Sequence, residues 1–250
     1  MHIKYLWITA CLGTGMATAD TTLTYNSQSG AGNSQMFLTD GLVKMTHQSE
    51  TDTAVLFDAR NTSFTIINHG QQSYMVFGKK ELEALGDVSK MIDKMLEEQL
   101  AQLPASQREQ MRGMMKQMVQ KQMPKQVPAP EYVKSGATDS HNGYNCDVVI
   151  KQVKGAKDAA FCVIDYDELG ISSSEYAAIN QFMQTAEKLA AQFGQDQSMN
   201  FDSIGQVVPV FYEMDGEKAY LSDVSNEQLP ASTFKVPEGY KKESLPEQMF

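Results

Sequence analysis

The sequence is poor in the residues that carry most protein chemistry. Its 250 residues hold three cysteines, four histidines and one tryptophan. No His-Glu-x-x-His, no Gly-x-Ser-x-Gly and no phosphate-binding glycine loop is present. Basic residues are also scarce, with 21 Lys and Arg against 31 Asp and Glu, a net charge of −10. That balance repels nucleic acid rather than attracting it. Nor does any apolar run reach the roughly 20 residues that a membrane-spanning helix needs.

What is present begins with a leader. His2 and Lys4 make a short polar start, Tyr5 to Met16 is mostly apolar, and Ala17-Thr18-Ala19 follows. This is the form of a secretory signal with an A-x-A site, cleaved between Ala19 and Asp20. An alternative is a lipoprotein-type box at Ile8-Thr9-Ala10-Cys11, which would leave Cys11 lipidated, although Cys11 stands close to Lys4 for a normal apolar region. We expect residues 1–19 to be signal peptide and 20–250 to form one domain, in the periplasm or secreted.

After cleavage His47, His69 and His141 remain. His69 precedes a turn glycine and His141 lies in Ser-His-Asn-Gly, so both read as exposed turn residues. Asp165, Asp167 and Glu168 could pair as acid and base, but read more simply as a solvated approach to a helix. No enzyme activity, catalytic residue or cofactor is therefore expected. Cys146 and Cys162 are the two mature cysteines, and in an exported chain two cysteines pair. If Val153-Lys154-Gly155 is a three-residue hairpin loop, Cys146 faces Cys162 across it.

From Thr21 to Gly78 short alternating strands are separated by Asp40-Gly41, Asp58-Ala59-Arg60-Asn61 and His69-Gly70. Turns this short force antiparallel neighbours, because a parallel crossover needs a dozen residues or more. A meander of about five strands is expected. A second β block opens at Glu131, with turns at Asn142-Gly143 and Asp215-Gly216 and a closing edge strand at Phe234-Lys235-Val236-Pro237. Between its hairpins Ser172-x-x-Glu175 is a capping box, and Tyr176, Ile179, Phe182, Met183, Ala186, Leu189 and Phe193 keep helical spacing to Gly194.

Between the blocks lies a helical insert, 79–123, with seven of the sixteen methionines. A short helix is expected over Glu81 to Leu85, stopping near Gly86. In the next, Met91, Ile92, Met95, Leu96, Leu100 and Leu103 form an apolar stripe. Pro104 breaks it, and Ser106-x-x-Glu109 caps a helix whose apolar face carries Met111, Met114, Met115 and Met118 beside a basic stripe of Arg108, Arg112 and Lys116. The methionines can fill an irregular core seam, line an adaptable pocket, or offer thioethers to Cu(I). The basic stripe is a solvated face or a docking surface for a membrane or an envelope protein.

Segregated helices and antiparallel strands indicate an α+β fold. Leu56-Phe57-Asp58-Ala59-Arg60-x-x-x-Phe64, His69-x-x-x-x-Tyr74, Gly143-Tyr144-x-Cys146, Phe161-Cys162-Val163 and Phe234-x-Val236-Pro237-x-Gly239-Tyr240 carry a resemblance. Together with the insert they resemble an uncharacterised family of exported bacterial proteins, similar in fold to the LolA and LolB lipoprotein carriers. The resemblance implies a curved antiparallel sheet, an incomplete barrel covered by helices, around a pocket for a lipid or another apolar ligand. On that reading Phe57, Phe64, Ile66 and Tyr74 of the meander and Met91, Met95, Met111, Met114, Met115 and Met118 of the lid are candidate ligand contacts, with no metal site. The alternative is an interaction protein that docks on a membrane or partner through 106–123.

Overall fold

The computed structural model describes residues 20–29, 32–47, 52–85, 128–192 and 199–244, and within the insert 94, 96–98, 100–101, 104, 107–109 and 111–115. Six strands form the first block: β1 (Thr21–Ser27), β2 (Asn33–Thr39), β3 (Leu42–His47), β4 (Thr53–Asp58), β5 (Ser63–Asn68) and β6 (Ser73–Phe77). Helix α1 (Lys79–Leu85) follows, then β7 (Glu131–His141), β8 (Tyr144–Val153), β9 (Ala156–Asp165), a 3-10 turn (Tyr166–Leu169) and helix α2 (Ser173–Gln192). The chain closes with β10 (Val207–Met214), β11 (Glu217–Ser225) and β12 (Lys241–Lys242).

Among the described residues all twelve strands join one open sheet, in the order β12-β6-β5-β4-β3-β2-β1-β11-β10-β9-β8-β7. Every pairing is antiparallel except β12 on β6. The fold is thus α+β, mostly one large antiparallel sheet with few helices. Three hairpins share one turn chemistry: Asn142-Gly143, Lys154-Gly155 and Asp215-Gly216 all have both φ angles between 49° and 89°. That is the type I′ turn, whose twist matches that of its strands. At Asp40-Gly41, by contrast, only Gly41 is left-handed, with φ 73°.

Two sequence expectations need correction. The β8–β9 loop has two residues, not three, because Lys154 accepts a left-handed φ of 53° and lets Val153 pair directly with Ala156. A further register shift at Lys151/Gln152 puts Cys162 opposite Val148 rather than Cys146. The displacement is by two residues, so both cysteines keep the same face of the pleat. They form a disulfide along the diagonal, with Cα atoms 5.3 Å apart. The second correction is at the C-terminus, where residues 231–235 are turns and the edge strand is Lys241–Lys242. Pro237 cannot donate to a ladder. Beyond it the amides of Lys241 and Glu243 donate to Gln72 and Tyr74 carbonyls at 2.9 Å.

The sheet curls around α2. Phe182 of α2 lies 5.6 Å from Phe64 of β5, while Tyr176, six positions earlier, donates to the Gly205 carbonyl just ahead of β10. Six residues advance a helix by about 9 Å. The six strand spacings from β5 to β10 would cover roughly 29 Å if flat. Only a bent sheet brings both to the same stretch of helix. The bends have sites: register shifts at Thr24/Tyr25 in β1 and Pro209/Phe211 in β10, the irregularities that increase local bend and twist. Bulging also explains how a proline is tolerated in an interior strand.

The start of α2 is tied to the start of β1. Ser172 and Glu175 form the expected capping box, with Ser172 N donating to Glu175 Oε2 at 2.8 Å and Glu175 N to Ser172 Oγ at 3.3 Å. The buried Glu175 carboxylate also accepts from Thr21 N at 3.0 Å and from the Ser172 hydroxyl at 2.7 Å. Glu175→Ala strands the buried Thr21 amide and the half-buried amide and hydroxyl of Ser172. It should lower the unfolding free energy by about 2–3 kcal/mol, read as a fall in the urea midpoint.

In the insert, α1 matches the short helix expected over Glu81 to Leu85. Helical residues occur on both sides of Pro104, and Gln107 N donates to its carbonyl at 2.9 Å. Arg112 reaches back to Glu97 at 2.8 Å, and Arg108 donates to the Ala101 carbonyl at 3.1 Å. A continuous helix would separate positions 97 and 112 by about 22 Å, so the two segments fold against each other. The expected Ser106 cap, the Gly194 stop, Lys116 and the methionines Met91, Met95 and Met118 lie outside the described residues.

Candidate functional site

An open cavity of about 100 Å³ lies between the N-terminal half of α2, the strands β1, β2, β3 and β10, and the segment 199–201. The strands contribute Tyr25, Ser34, Met36 and Met45 from the meander and Val207, Val208, Pro209 and Tyr212 from β10. Helix α2 adds Tyr176, Ile179, Asn180 and Met183, and the segment after it adds Met199, Asn200 and Phe201. Period-two and period-four spacing explain the selection: Ile179, Asn180 and Met183 share one helical face. Among the described residues no charged side chain lines the cavity. Four methionines do, and their unbranched thioethers adapt to irregular apolar guests.

Two of the wall's three phenols are already committed, Tyr176 donating to the Gly205 carbonyl and Tyr25 to that of Pro209 at 2.9 Å, at the β10 bulge. Tyr25 and Tyr212 rings stand 6.2 Å apart, and Tyr176 stacks on Tyr166 at 4.7 Å. Burial pushes all three phenols above their ordinary value. For Tyr25 the nearby Tyr212 and Tyr144 add to this, for Tyr212 Glu217 adds, and for Tyr176 Asp202 is the next cause. The neutral form is therefore the one the fold holds.

A stability consequence follows, with a definite sign. A group whose folded pKa is raised contributes stability present below its unfolded value, here 10.0, and lost as pH rises toward the folded value. The protein should resist alkali up to about pH 10 and then lose stability steeply. Thermal melts across that range, with tyrosinate absorbance followed in parallel, test it. Because the chain has ten tyrosines, the contradicting result is tyrosinate absorbance that reaches its full value, the three wall phenols included, before unfolding.

At the cavity rim the amides are turned toward carboxylates. Asn180 Nδ2 donates to Asp202 Oδ1 at 2.8 Å, and Gln184 Nε2 donates to Asp202 Oδ2 at 2.7 Å. Asn200 Nδ2 donates to Glu187 Oε2 at 3.1 Å, and Ser34 shares a hydrogen bond with His47 Nδ1 at 2.8 Å. The three amide–carboxylate bonds clasp the segment 199–205 to α2. Phe201 on that segment is buried against Phe161 and Tyr132, at 5.1 and 5.2 Å between ring centres.

The residues expected at a ligand site are distributed differently. Phe57 and Phe64 are buried against Phe182, in filled core rather than at the cavity. Ile66 shares their face and is half-buried. Tyr74 pairs with Ile67, one position out of phase, so it sits on the opposite face of the sheet. In the insert Met111 and Met115 are half-buried and Met114 is 55% exposed. The four methionines that do line the cavity, Met36, Met45, Met183 and Met199, are scattered along the chain. Met36 and Met45 are a cross-strand pair, and Met183 falls on the apolar face of α2. Those periodicities were the available signal for three of them. Met199 stands in a loop with none.

His69 and His141 are held structurally. His69 shares a 2.8 Å hydrogen bond with Tyr240, and His141 stacks on Phe211 at 4.1 Å. Among the described residues no group of three or more His, Cys, Asp or Glu could hold a metal ion, and no helix is long and apolar enough to cross a membrane.

No family model matches the sequence, and no curated protein matches it. Among solved structures, PNGF-II in its P21 and C2 crystal forms is similar over 90% of this chain and 31% of the PNGF-II chain. Identity is 9% and 8%, and the TM-score is 0.42 in both cases, a likeness too slight to carry an argument about fold or activity.

Proposed function

We propose that this chain is an exported, non-enzymatic binding protein of LolA-like architecture that holds an apolar ligand in the cavity between α2 and the curled sheet. The observation that carries the reading is an open cavity walled by methionines, tyrosines and aliphatic side chains, with no charged lining residue among those described. Adaptable apolar walls of this type are characteristic of small-molecule sites. The disulfide agrees with an oxidising, extracytoplasmic location. The cavity, at about 100 Å³, is smaller than the engineered apolar cavity of about 150 Å³ that holds benzene. It suits a short alkyl segment, and the rest of a longer chain would leave by the open mouth.

The cover in this reading is α2 with the segment 199–205. None of the insert's described residues lines the cavity, and its own arginines, Arg108 and Arg112, tie its two segments together. Exposed Met114 favours the other reading, docking of the 106–123 region on a membrane or envelope partner.

The test uses the processed chain, 20–250, and the neutral dye N-phenyl-1-naphthylamine. Saturable one-site fluorescence enhancement is expected, abolished by Met183→Trp, which fills the cavity, in a variant whose circular dichroism is unchanged. Native mass spectrometry of protein purified from the envelope should also show an extractable apolar species. If neither dye nor co-purified species binds, the reading fails. Vesicle association that is lost on deleting 106–123, with no dye binding, would favour docking instead.

A further inference from the structure

Resting on that cavity reading, we infer that the site selects ligands whose polar end donates hydrogen bonds, a hydroxyl, amide or ammonium, and rejects carboxylate and phosphate ends. The inference comes from how the rim is wired. An apolar ligand seated against Ile179, Met183 and Val208 brings its polar end to Asn180, Asn200 and Ser34, the polar side chains of the lining besides its three tyrosines. An anionic end needs N–H or O–H donors, or a cation, at that position.

The rim offers the reverse. Asn180, Gln184 and Asn200 each direct an amide N–H to a carboxylate, the first two to Asp202 and the third to Glu187. The Asn180 carbonyl oxygen faces Gln184 Nε2 at 3.2 Å, and Asn200 Oδ1 accepts from Asp202 N at 3.1 Å. One N–H of Asn180 and one of Asn200 are thus spent on carboxylates, and Gln184 Nε2 on Asp202 and Asn180, while the carboxylate oxygens retain lone pairs for a further donor. No lysine or arginine is among the described lining residues to offset the two negative charges. Asp202 also acts on the wall itself, since after burial it is the next cause of the raised Tyr176 phenol. The overall charge of −10 has the same sign. An incoming carboxylate would meet like charge and acceptors, and like-charge juxtaposition across a binding surface is strongly disfavoured.

Displacement of bound N-phenyl-1-naphthylamine by hexan-1-ol, hexylamine and hexanoate separates the possibilities, because the three share one chain and differ in the head. At about pH 7.5 the amine is protonated and the acid ionised. The alcohol and amine should displace the dye at concentrations about tenfold or more below hexanoate. Raising the salt from about 0.05 to 0.5 M should shrink the discrimination against hexanoate. So should Asp202→Asn combined with Glu187→Gln, to within about threefold. The salt series needs no variant, so a folding defect in the double substitution does not remove the test. Hexanoate displacing as well as hexanol, or a preference untouched by both salt and substitution, overturns the head-group inference while leaving the cavity reading intact. Failure of the dye itself to bind removes the cavity reading and this inference with it.

Discussion

Replacing Phe182 with alanine should lower the unfolding free energy by about 3–5 kcal/mol, more than any other single truncation on α2. Phe182 is 7% exposed, and its ring lies 5.7 Å from Phe57 and 5.6 Å from Phe64, which themselves stand 4.8 Å apart. The three rings form a closed cluster of tilted and edge contacts. Such pairs add about 0.5–1.5 kcal/mol each beyond the area they bury. Phe57 and Phe64 are cross-strand partners on β4 and β5, so they cannot move toward the vacated space without breaking the ladder. The cavity should therefore persist rather than collapse, which is the costly case. Chemical denaturation of the two proteins measures it, and a loss below about 1 kcal/mol would mean that Phe182 is not the hinge pin between helix and sheet. Because Phe182 and Met183 are adjacent on α2, dye binding should also weaken.

Removing the disulfide has the second largest expected effect. Cys146 and Cys162 are 16 positions apart, and closing a loop of about 15 residues is worth roughly 3 kcal/mol in the chain-entropy model. Both cysteines are nearly fully buried in the main core cluster, so the serine pair Cys146→Ser with Cys162→Ser adds buried hydroxyls to that loss. Cys146→Ala with Cys162→Ala isolates the cross-link itself. Melting of the wild-type chain with and without reductant should reproduce the alanine-pair difference. A reductant that leaves the melting temperature unchanged would show that the bond carries no stability in the native hairpin.

Much of the local architecture was legible because its causes are local. Asn142-Gly143 and Asp215-Gly216 specify type I′ turns within two residues, and each hairpin formed about its dipeptide. Ser172 and Glu175 specify a helix start within four, and the capping box formed. The cysteine pairing followed from composition and face parity, although its register did not. Lys154 is an unusual left-handed residue, and a bulge carries no motif, so the shift at Lys151/Gln152 had no sequence signal.

The cavity was much less legible, and the reason is distance along the chain. Tyr25, Met45, Met183 and Val208 share one wall only because the sheet bends around α2. That bend depends on irregular pairing at Thr24/Tyr25 and Pro209/Phe211, each fixed by its partner strand. The family resemblance suggested Phe57 and Phe64 as ligand contacts. The same bend placed them beneath Phe182 and filled the space between them.

By itself, then, the sequence determined most of the strands and turns, the capped helix and a pair of cysteines on one face, since each depends on contacts within a few residues or on alternation along one element. Tertiary structure alone decided which methionines meet at a cavity, which aromatic residues are packing, and which amides turn toward Asp202 and Glu187. Those outcomes depend on strand order and sheet curvature, quantities summed over twelve strands and encoded at no single position.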